Sequence, residues 1–225
     1  MKAMILAAGR GQRMRPLTDN QPKPLLPVAG KPLLAFHLEK LAKAGVTEVV
    51  INHAWKGEQI EHFVGDGSDW QLQVSFSPEP EGGLETAGGI IQALPLLGDD
   101  PFWVINGDIW TDWDYSELPK SLPDDKLAHL LMVDNPPHNP DGDFGVVDGC
   151  LVEKPLGESK TFAGIGLYRK ELLQPYPEGK LPLKPFFEKA ISEQNVLASV
   201  MKGLWTDVGT PERLEQLNQQ VRKYR

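Results

Sequence analysis

Cysteine is almost absent from this 225-residue chain: Cys150 stands alone. That excludes an intrachain disulfide framework and most cysteine-based zinc sites, and it fits a reducing compartment. A lone thiol of this kind is expected to be buried and inert. Long apolar runs are missing too. None approaches the ~20 residues that span a bilayer, and the apolar stretch at residues 3–8 is shorter than the ~7–15-residue apolar segment of a signal peptide. A cytoplasmic location without a membrane partner is expected. Bulk positive charge is also lacking. The formal net charge is −8, so attraction to nucleic acid or anionic membrane is not expected. Internal repeats and low-complexity segments are absent.

What is present is unevenly placed. Residues 1–31 carry six cations and one anion, a net of +5, which leaves −13 on the remaining 194 residues. A small basic pole on an acidic body suits a compact anionic ligand, although charge alone also fits a merely solvated basic segment. The 22 glycines and 20 prolines announce many turns and special backbone positions.

Hydrophobic periodicity predicts strands at residues 2–7, 48–52, 72–76 and 102–105, with helices at 33–44, 57–64 and 86–97 between them. That alternation predicts an α/β fold, Rossmann-like, with a mixed but mostly parallel sheet flanked by helices on both faces. Beyond residue 130 the rhythm changes. Short strands are expected around 145–147, 151–153 and 163–168, as a meander or sheet extension, with a helix at 183–193 and one or two strands within 198–206. Thr210-Pro211-Glu212 reads as a helix start, and Arg222, Lys223 and Arg225 suit the far end of that helix. Residues 136–142 form the best candidate for a mobile loop. A single catalytic domain over residues 1–225 is expected, with a nucleotide-binding half at about 1–135 and a sugar-binding half at about 136–225.

The strongest chemical feature is Leu6-Ala7-Ala8-Gly9-Arg10-Gly11-Gln12-Arg13-Met14-Arg15-Pro16-Leu17-Thr18, with Pro22-Lys23-Pro24 close behind. Two glycines after a strand let the backbone approach a ligand and turn its N–H groups toward an anion. Arg15 adds a charged fork, and Lys23 a point charge held between prolines. The spacing fits neither a P-loop nor a dinucleotide fingerprint. His37 lies on the apolar face of its helix and reads as a packed residue. His53, His62, His129 and His138 lack ligand spacing.

This segment resembles the signature of the sugar-1-phosphate nucleotidyltransferases, close to LAAGxGTRLxPLT followed by PKP and a helix. Further motifs match in order: Leu84-Glu85-Thr86-Ala87-Gly88-Gly89, Asn106-Gly107-Asp108, Glu153-Lys154-Pro155 and Trp205-Thr206-Asp207-Val208-Gly209-Thr210-Pro211. The resemblance implies a magnesium-dependent enzyme that joins a nucleoside triphosphate to a sugar 1-phosphate and releases pyrophosphate. It implies that Gly9 and Gly11 to Arg13 cradle the triphosphate, that Arg15 holds the departing pyrophosphate and that Lys23 stabilises charge at the α-phosphate. Gln12 departs from the usual threonine. Glu79, Gly83, Thr86 and Asn106 would bind the nucleoside. Asp143, Gly145, Glu153 and Lys154 would line the sugar-phosphate site, and Asp108 and Asp207 would hold Mg²⁺. Trp205, beside Asp207, is a candidate for touching substrate.

The sequence Leu84-Glu85-Thr86-Ala87-Gly88-Gly89 on a short chain is similar to the bacterial N-acetylmuramate α-1-phosphate uridylyltransferases of peptidoglycan recycling. The resemblance implies UTP and N-acetylmuramic acid 1-phosphate as substrates, and because the chain ends soon after the second metal motif, no acyltransferase domain and a monomer are expected. A carboxylate such as Glu79 or Glu81 could accept from uracil N3–H or from guanine, so a mannose-1-phosphate guanylyltransferase stays open. So does a non-catalytic nucleotide-sugar-binding regulator.

Overall fold

The computed structural model describes residues 1–223; Arg225, expected to suit a helix dipole, lies outside them. The first half alternates as the periodicity predicts. Strand β1 (Lys2–Leu6) is followed by a small hairpin of β2 (Pro27–Val28) and β3 (Lys31–Pro32), helix α1 (Leu33–Lys43) and β4 (Glu48–His53). Then come α2 (Gly57–Val64), β5 (Gln73–Pro78), α3 (Glu85–Leu97) and β6 (Phe102–Asn106). Strands β4, β1 and β6 run side by side and parallel, with β5 parallel on the outer edge of β4.

The apolar run of β1 follows from burial on both faces. Ala3 and Ile5 enter one core with Leu34, Leu38 and Leu41 of α1 and Ile60 and Val64 of α2. Met4 enters a second core with Ala87, Ile90, Ala93 and Leu97 of α3. Helices therefore cover both faces of the sheet. Parallel strands also send their C-terminal ends to one edge, where α/β folds place ligands.

The second half departs from the mostly parallel expectation. It holds β7 (Ile109–Thr111), β8 (Ala128–Val133), β9 (Phe144–Val147), β10 (Cys150–Val152), β11 (Glu158–Tyr168), α4 (Lys184–Ser192), β12 (Val196–Val200), β13 (Trp205–Asp207) and α5 (Pro211–Lys223). The nine-stranded sheet has the order β5-β4-β1-β6-β11-β8-β12-β10-β9. Its pairings are four parallel and five antiparallel. The reversal begins where β11 pairs antiparallel with β6, because no helical crossover delivers it in the other direction.

Helix α4 extends the second core with Phe187, Ala190 and Ile191. Helix α5 buries Leu214, Leu217 and Val221 against Met14, Val28 and Trp110 in a third core. The glycine-rich loop is thus fastened to the last helix through Met14. Cys150 is only half buried, against the expectation of full burial, because it lies on the short strand β10 near the sheet edge. Among the described residues no helix is long and apolar enough to cross a membrane.

Candidate active site

The loops after β1, β4, β5 and β6 enclose a cleft of about 1080 Å³. Its floor is the glycine-rich loop. Gly11 has φ +66°, and a Cβ there would stand 3.0 Å from the Thr18 methyl and 3.3 Å from the Lys23 Cβ, so the turn requires glycine. Thr18, fully buried, donates its hydroxyl to the Gly11 carbonyl at 2.8 Å. Gly9, Gly11, Gln12, Arg13 and Lys23 all line the cleft. Arg10 joins them, its guanidinium 3.8 Å over the Trp55 ring. Arg10 Nη1 and Trp55 Nε1 both donate to the Thr18 carbonyl, at 3.0 and 3.1 Å.

Arg15, expected at the departing pyrophosphate, is placed elsewhere. Its side chain is 57% exposed, its Nε sits 3.3 Å from Asp19, and it does not line the cleft. The 3-10 turn Gln12–Met14 buries Met14, leaving Arg13 on the cleft and Arg15 outside it. The arginine of the motif quoted above itself falls at Arg13, so the signal was present in the sequence.

The opposite wall is the turn after β5. Glu79, Glu81, Gly82, Gly83 and Thr86 line it. Glu79 is buried, and each of its oxygens accepts a bond: Oε1 from Asn52 Nδ2 at 2.6 Å and Oε2 from the Leu84 N–H at 2.6 Å. The start of α3 is clasped by residues 179–181 from the second half of the chain. Leu181 donates its N–H to the Leu84 carbonyl and accepts from the Ala87 and Gly88 N–H groups. Lys180 reaches the cleft from that strap.

Asn106 and Asp108 line both this cleft and a smaller hollow of about 260 Å³, which Asp207, His138, Asn139, Thr161 and Trp205 also line. Strand β13 pairs antiparallel with β7, placing Asp207 opposite Ile109, and the Val208 N–H donates to the Asp108 carbonyl at 2.7 Å. Each aspartate meets an internal cation. Lys23 Nζ is 2.5 Å from Asp108 Oδ2, and Arg213 Nη1 is 2.5 Å from Asp207 Oδ1. His138 Nε2 stands 2.8 Å from both Asp207 Oδ1 and Arg213 Nη1. Among the described residues no three His, Cys, Asp or Glu side chains form a metal cluster. Two carboxylates that already attract cations, facing a ligand cleft, fit Mg²⁺, which takes one or two carboxylates and completes its shell with phosphate oxygens and water.

The expected sugar residues divide. Asp143 is beside the hollow without lining it: its Oδ1 accepts from Asn139 and its Oδ2 from the Phe162 N–H. Gly145 lies within β9, where a Cβ would stand 1.8 Å from the Leu156 carbonyl oxygen, so strand packing accounts for its glycine. Glu153 and Lys154 are exposed and line neither hollow. Lys154 donates to the Asp141 and Gly142 carbonyls at 3.1 and 2.7 Å. It therefore holds the 136–142 loop, which carries His138 and Asn139 into the hollow. Trp205 lines the hollow, its Nε1 donating to the Ala163 carbonyl at 2.9 Å.

His37 is packed, as its helical face predicted. Burial lowers its pKa to about 4, and its Nδ1 meets the Tyr115 hydroxyl at 2.8 Å.

The family model described as nucleotidyl transferase matches residues 2–224. The chain belongs to the nucleotidyl transferase family. An N-acetylmuramate alpha-1-phosphate uridylyltransferase of Neisseria meningitidis is 53% identical over 222 residues, covering 96% of each chain. The protein of that name in Caulobacter vibrioides is 31% identical, covering 93% of this chain and 92% of its own. A solved structure from Bacillus anthracis, described as a glucose-1-phosphate thymidylyltransferase, superposes with a TM-score of 0.85 at 23% identity. It covers 99% of this chain and 95% of its own, and at that identity the likeness speaks for the fold.

Within this family frame, sequence reasoning missed Asn52, Trp55, Lys180, His138 and Arg213. Asn52 and Trp55 lie at and just after the end of β4, a position visible from the strand pattern. Lys180, His138 and Arg213 reach the site through long-range folding, which spacing does not encode.

Proposed function

We propose that this chain transfers UMP from UTP to N-acetylmuramic acid α-1-phosphate, giving UDP-N-acetylmuramic acid and pyrophosphate. The observation that carries the chemistry is the placement of Asp108 on the shared wall of two hollows. A basic glycine-rich cleft lies on one side and a smaller hollow of about 260 Å³ on the other. The choice of UTP and the muramyl sugar rests on the Neisseria relative, similar over nearly its whole length. The cleft is built mostly from the nucleotide half, at about residues 1–135, with Lys180 and Gly209 added from the sugar half at about 136–225, and the smaller hollow is shared between the two halves.

An oxygen of the sugar phosphate attacks the α-phosphorus of UTP, and the bond from that phosphorus to the bridging oxygen of pyrophosphate breaks. A phosphate monoester has a second pKa near ~6, so at neutral pH the nucleophile is already dianionic and needs no general base. The obstacle is repulsion between two polyanions. The Gly9–Arg13 backbone, with Arg10 and Arg13, orients the triphosphate, and Lys23 reaches the α-phosphate from its place beside Asp108. Arg13, rather than Arg15, takes the departing pyrophosphate. Asp108 and Asp207 would hold Mg²⁺, which when bound supplies charge neutralisation and alignment of the phosphate oxygens.

The test is pyrophosphate release from each of UTP, GTP, dTTP, CTP and ATP. Each is paired with N-acetylmuramic acid, N-acetylglucosamine, glucose or mannose 1-phosphate, with and without Mg²⁺. Strong release only with UTP, the muramyl phosphate and Mg²⁺ is expected. Release led by GTP with mannose 1-phosphate would overturn the substrate assignment, and no release with any pair would overturn the enzymatic one.

A further inference from the structure

We infer that Asn52 and Glu79 form a positioning couple that locks the triphosphate loop to the turn holding the base, and that Glu79 is not itself a reader of the base. The inference rests on the nucleotide-binding reading above. Asn52 lies near the end of β4 and is 2% exposed. Its Oδ1 accepts from the Ala7 N–H at 2.8 Å, and its Nδ2 donates to Glu79 Oε1 at 2.6 Å. Glu79 Oε2 then accepts from the Leu84 N–H at 2.6 Å. Three hydrogen bonds thus run without a gap from the glycine-rich loop, across the ends of β4 and β5, to the residue just before α3.

The chain of bonds has a direction. An amide offers one acceptor and one donor group, and here each faces the only partner it can serve. Flipping Asn52 would set its NH₂ against the Ala7 N–H and its oxygen against a carboxylate oxygen. Glu79 supplies an acceptor at each end, and bonds to an ionised acceptor are stronger than neutral ones. Helix α3 is cut away to let the couple pass. A Cβ on Gly89 would stand 2.3 Å from Glu79 Oε1 and 2.8 Å from Asn52 Nδ2. Glu79 is buried and each of its oxygens accepts a bond from its own chain, so its carboxylate is held from both ends as part of the scaffold. Glu81, on the same wall, is exposed.

Two consequences separate positioning from base reading. Damage to the couple must weaken ligands that have no base, because the Ala7 end of the chain of bonds belongs to the triphosphate loop. It must also weaken all nucleotides alike. Glu79→Gln is nearly isosteric but replaces one acceptor oxygen with a donor. The new NH₂ meets either Asn52 Nδ2 or the Leu84 N–H, and one of the three bonds is lost. Adding Asn52→Asp reverses the middle bond and restores all three. The carboxylate introduced at position 52 accepts from the Ala7 N–H and from the amide introduced at position 79, whose oxygen accepts from the Leu84 N–H.

The experiment measures dissociation constants for UTP, CTP and pyrophosphate, with Mg²⁺, on the wild type, on E79Q and on N52D/E79Q. On E79Q, all three are expected to weaken about tenfold with the UTP-to-CTP ratio unchanged. On N52D/E79Q, all three are expected to return to within about twofold of wild type. A collapse of the UTP-to-CTP ratio in E79Q would make Glu79 a base reader and overturn the inference alone. So would unaltered pyrophosphate binding in E79Q, or a double variant no better than the single one. A wild type that binds none of the three would overturn the nucleotide reading together with it.

Discussion

Arg13 and Arg15 are two residues apart in one basic loop, yet they have different surroundings. Arg13 lines the cleft, while Arg15 points to solvent beside Asp19. A charge-assisted contact to a phosphate contributes ~1.5–3 kcal/mol, which is about 10- to 100-fold in kcat/KM. An exposed ion pair such as Arg15–Asp19 contributes ~0–1 kcal/mol. Arg13→Ala is therefore expected to lower kcat/KM for UTP by about 10- to 100-fold, and Arg15→Ala by less than about threefold. Steady-state pyrophosphate release on the two variants checks this, and the reverse ranking would return the pyrophosphate contact to Arg15. Residues of this kind were legible where a motif named them. Lys23 and Asp108 are 85 residues apart and form one contact at 2.5 Å, and both were expected at the reacting phosphate. Glu79 was legible as a cleft carboxylate but not as an internal acceptor, because its partner Asn52 carries no motif. The roles given to Glu153 and Lys154 followed the resemblance, and their exposure here leaves those roles without geometric support.

Elements supply what single residues cannot. The turn after β5, proposed to hold the base, stays in place because residues 179–181 clasp the start of α3, and Gly88 permits the approach. A Cβ there would lie 2.3 Å from the Gly179 carbonyl oxygen and 3.0 Å from Leu84 Cβ. The first contact is backbone and cannot swing aside. Gly88→Ala is expected to force the strap away from α3 and cost ~1–3 kcal/mol, as overpacking generally does. The helical propensity gained by replacing glycine, at most ~1 kcal/mol, offsets only part of this. Denaturant unfolding, together with the KM for UTP, checks the prediction; a variant as stable as the wild type with unchanged KM would remove the strap from the account. The βαβ rhythm up to β6 was readable because helix and strand periods alternate there. Strand β8, with the sequence Ala-His-Leu-Leu-Met-Val, was not expected, since a short apolar run interrupted by His129 fits a helix segment equally well. Strand β11 is longer than its apolar part, because residues 158–160 are polar and pair with β9 beyond the core. Strand direction has no periodicity at all, which is why a mostly parallel sheet was expected where five of the nine pairings are antiparallel.

At the scale of the whole molecule, the two halves meet at like charges. Asp108 and Asp207 belong to different stretches of chain, are brought together by the β7–β13 pairing, and are each neutralised by a cation of the same protein. On the proposed function, a ligand bearing phosphates would compete for those cations: Lys23 would turn toward phosphate, and the carboxylates would be left in need of a divalent ion. Nucleotide and Mg²⁺ should then stabilise the fold together more than separately. At a free ligand concentration of about 100 Kd, linkage adds ~2.7 kcal/mol, and in a chain of this size each kcal/mol moves Tm by roughly 2–4 °C. UTP with Mg²⁺ is therefore expected to raise Tm by about 5–10 °C, and UTP with a chelator by clearly less. Asp108→Asn and Asp207→Asn are expected to erase the difference between the two conditions, each shift being measured from the variant's own ligand-free Tm, because the lost ion pair moves that baseline as well. A Mg²⁺-dependent increment that survives both substitutions would place the metal elsewhere, and with it the assignment of the shared wall as the reacting centre would fall.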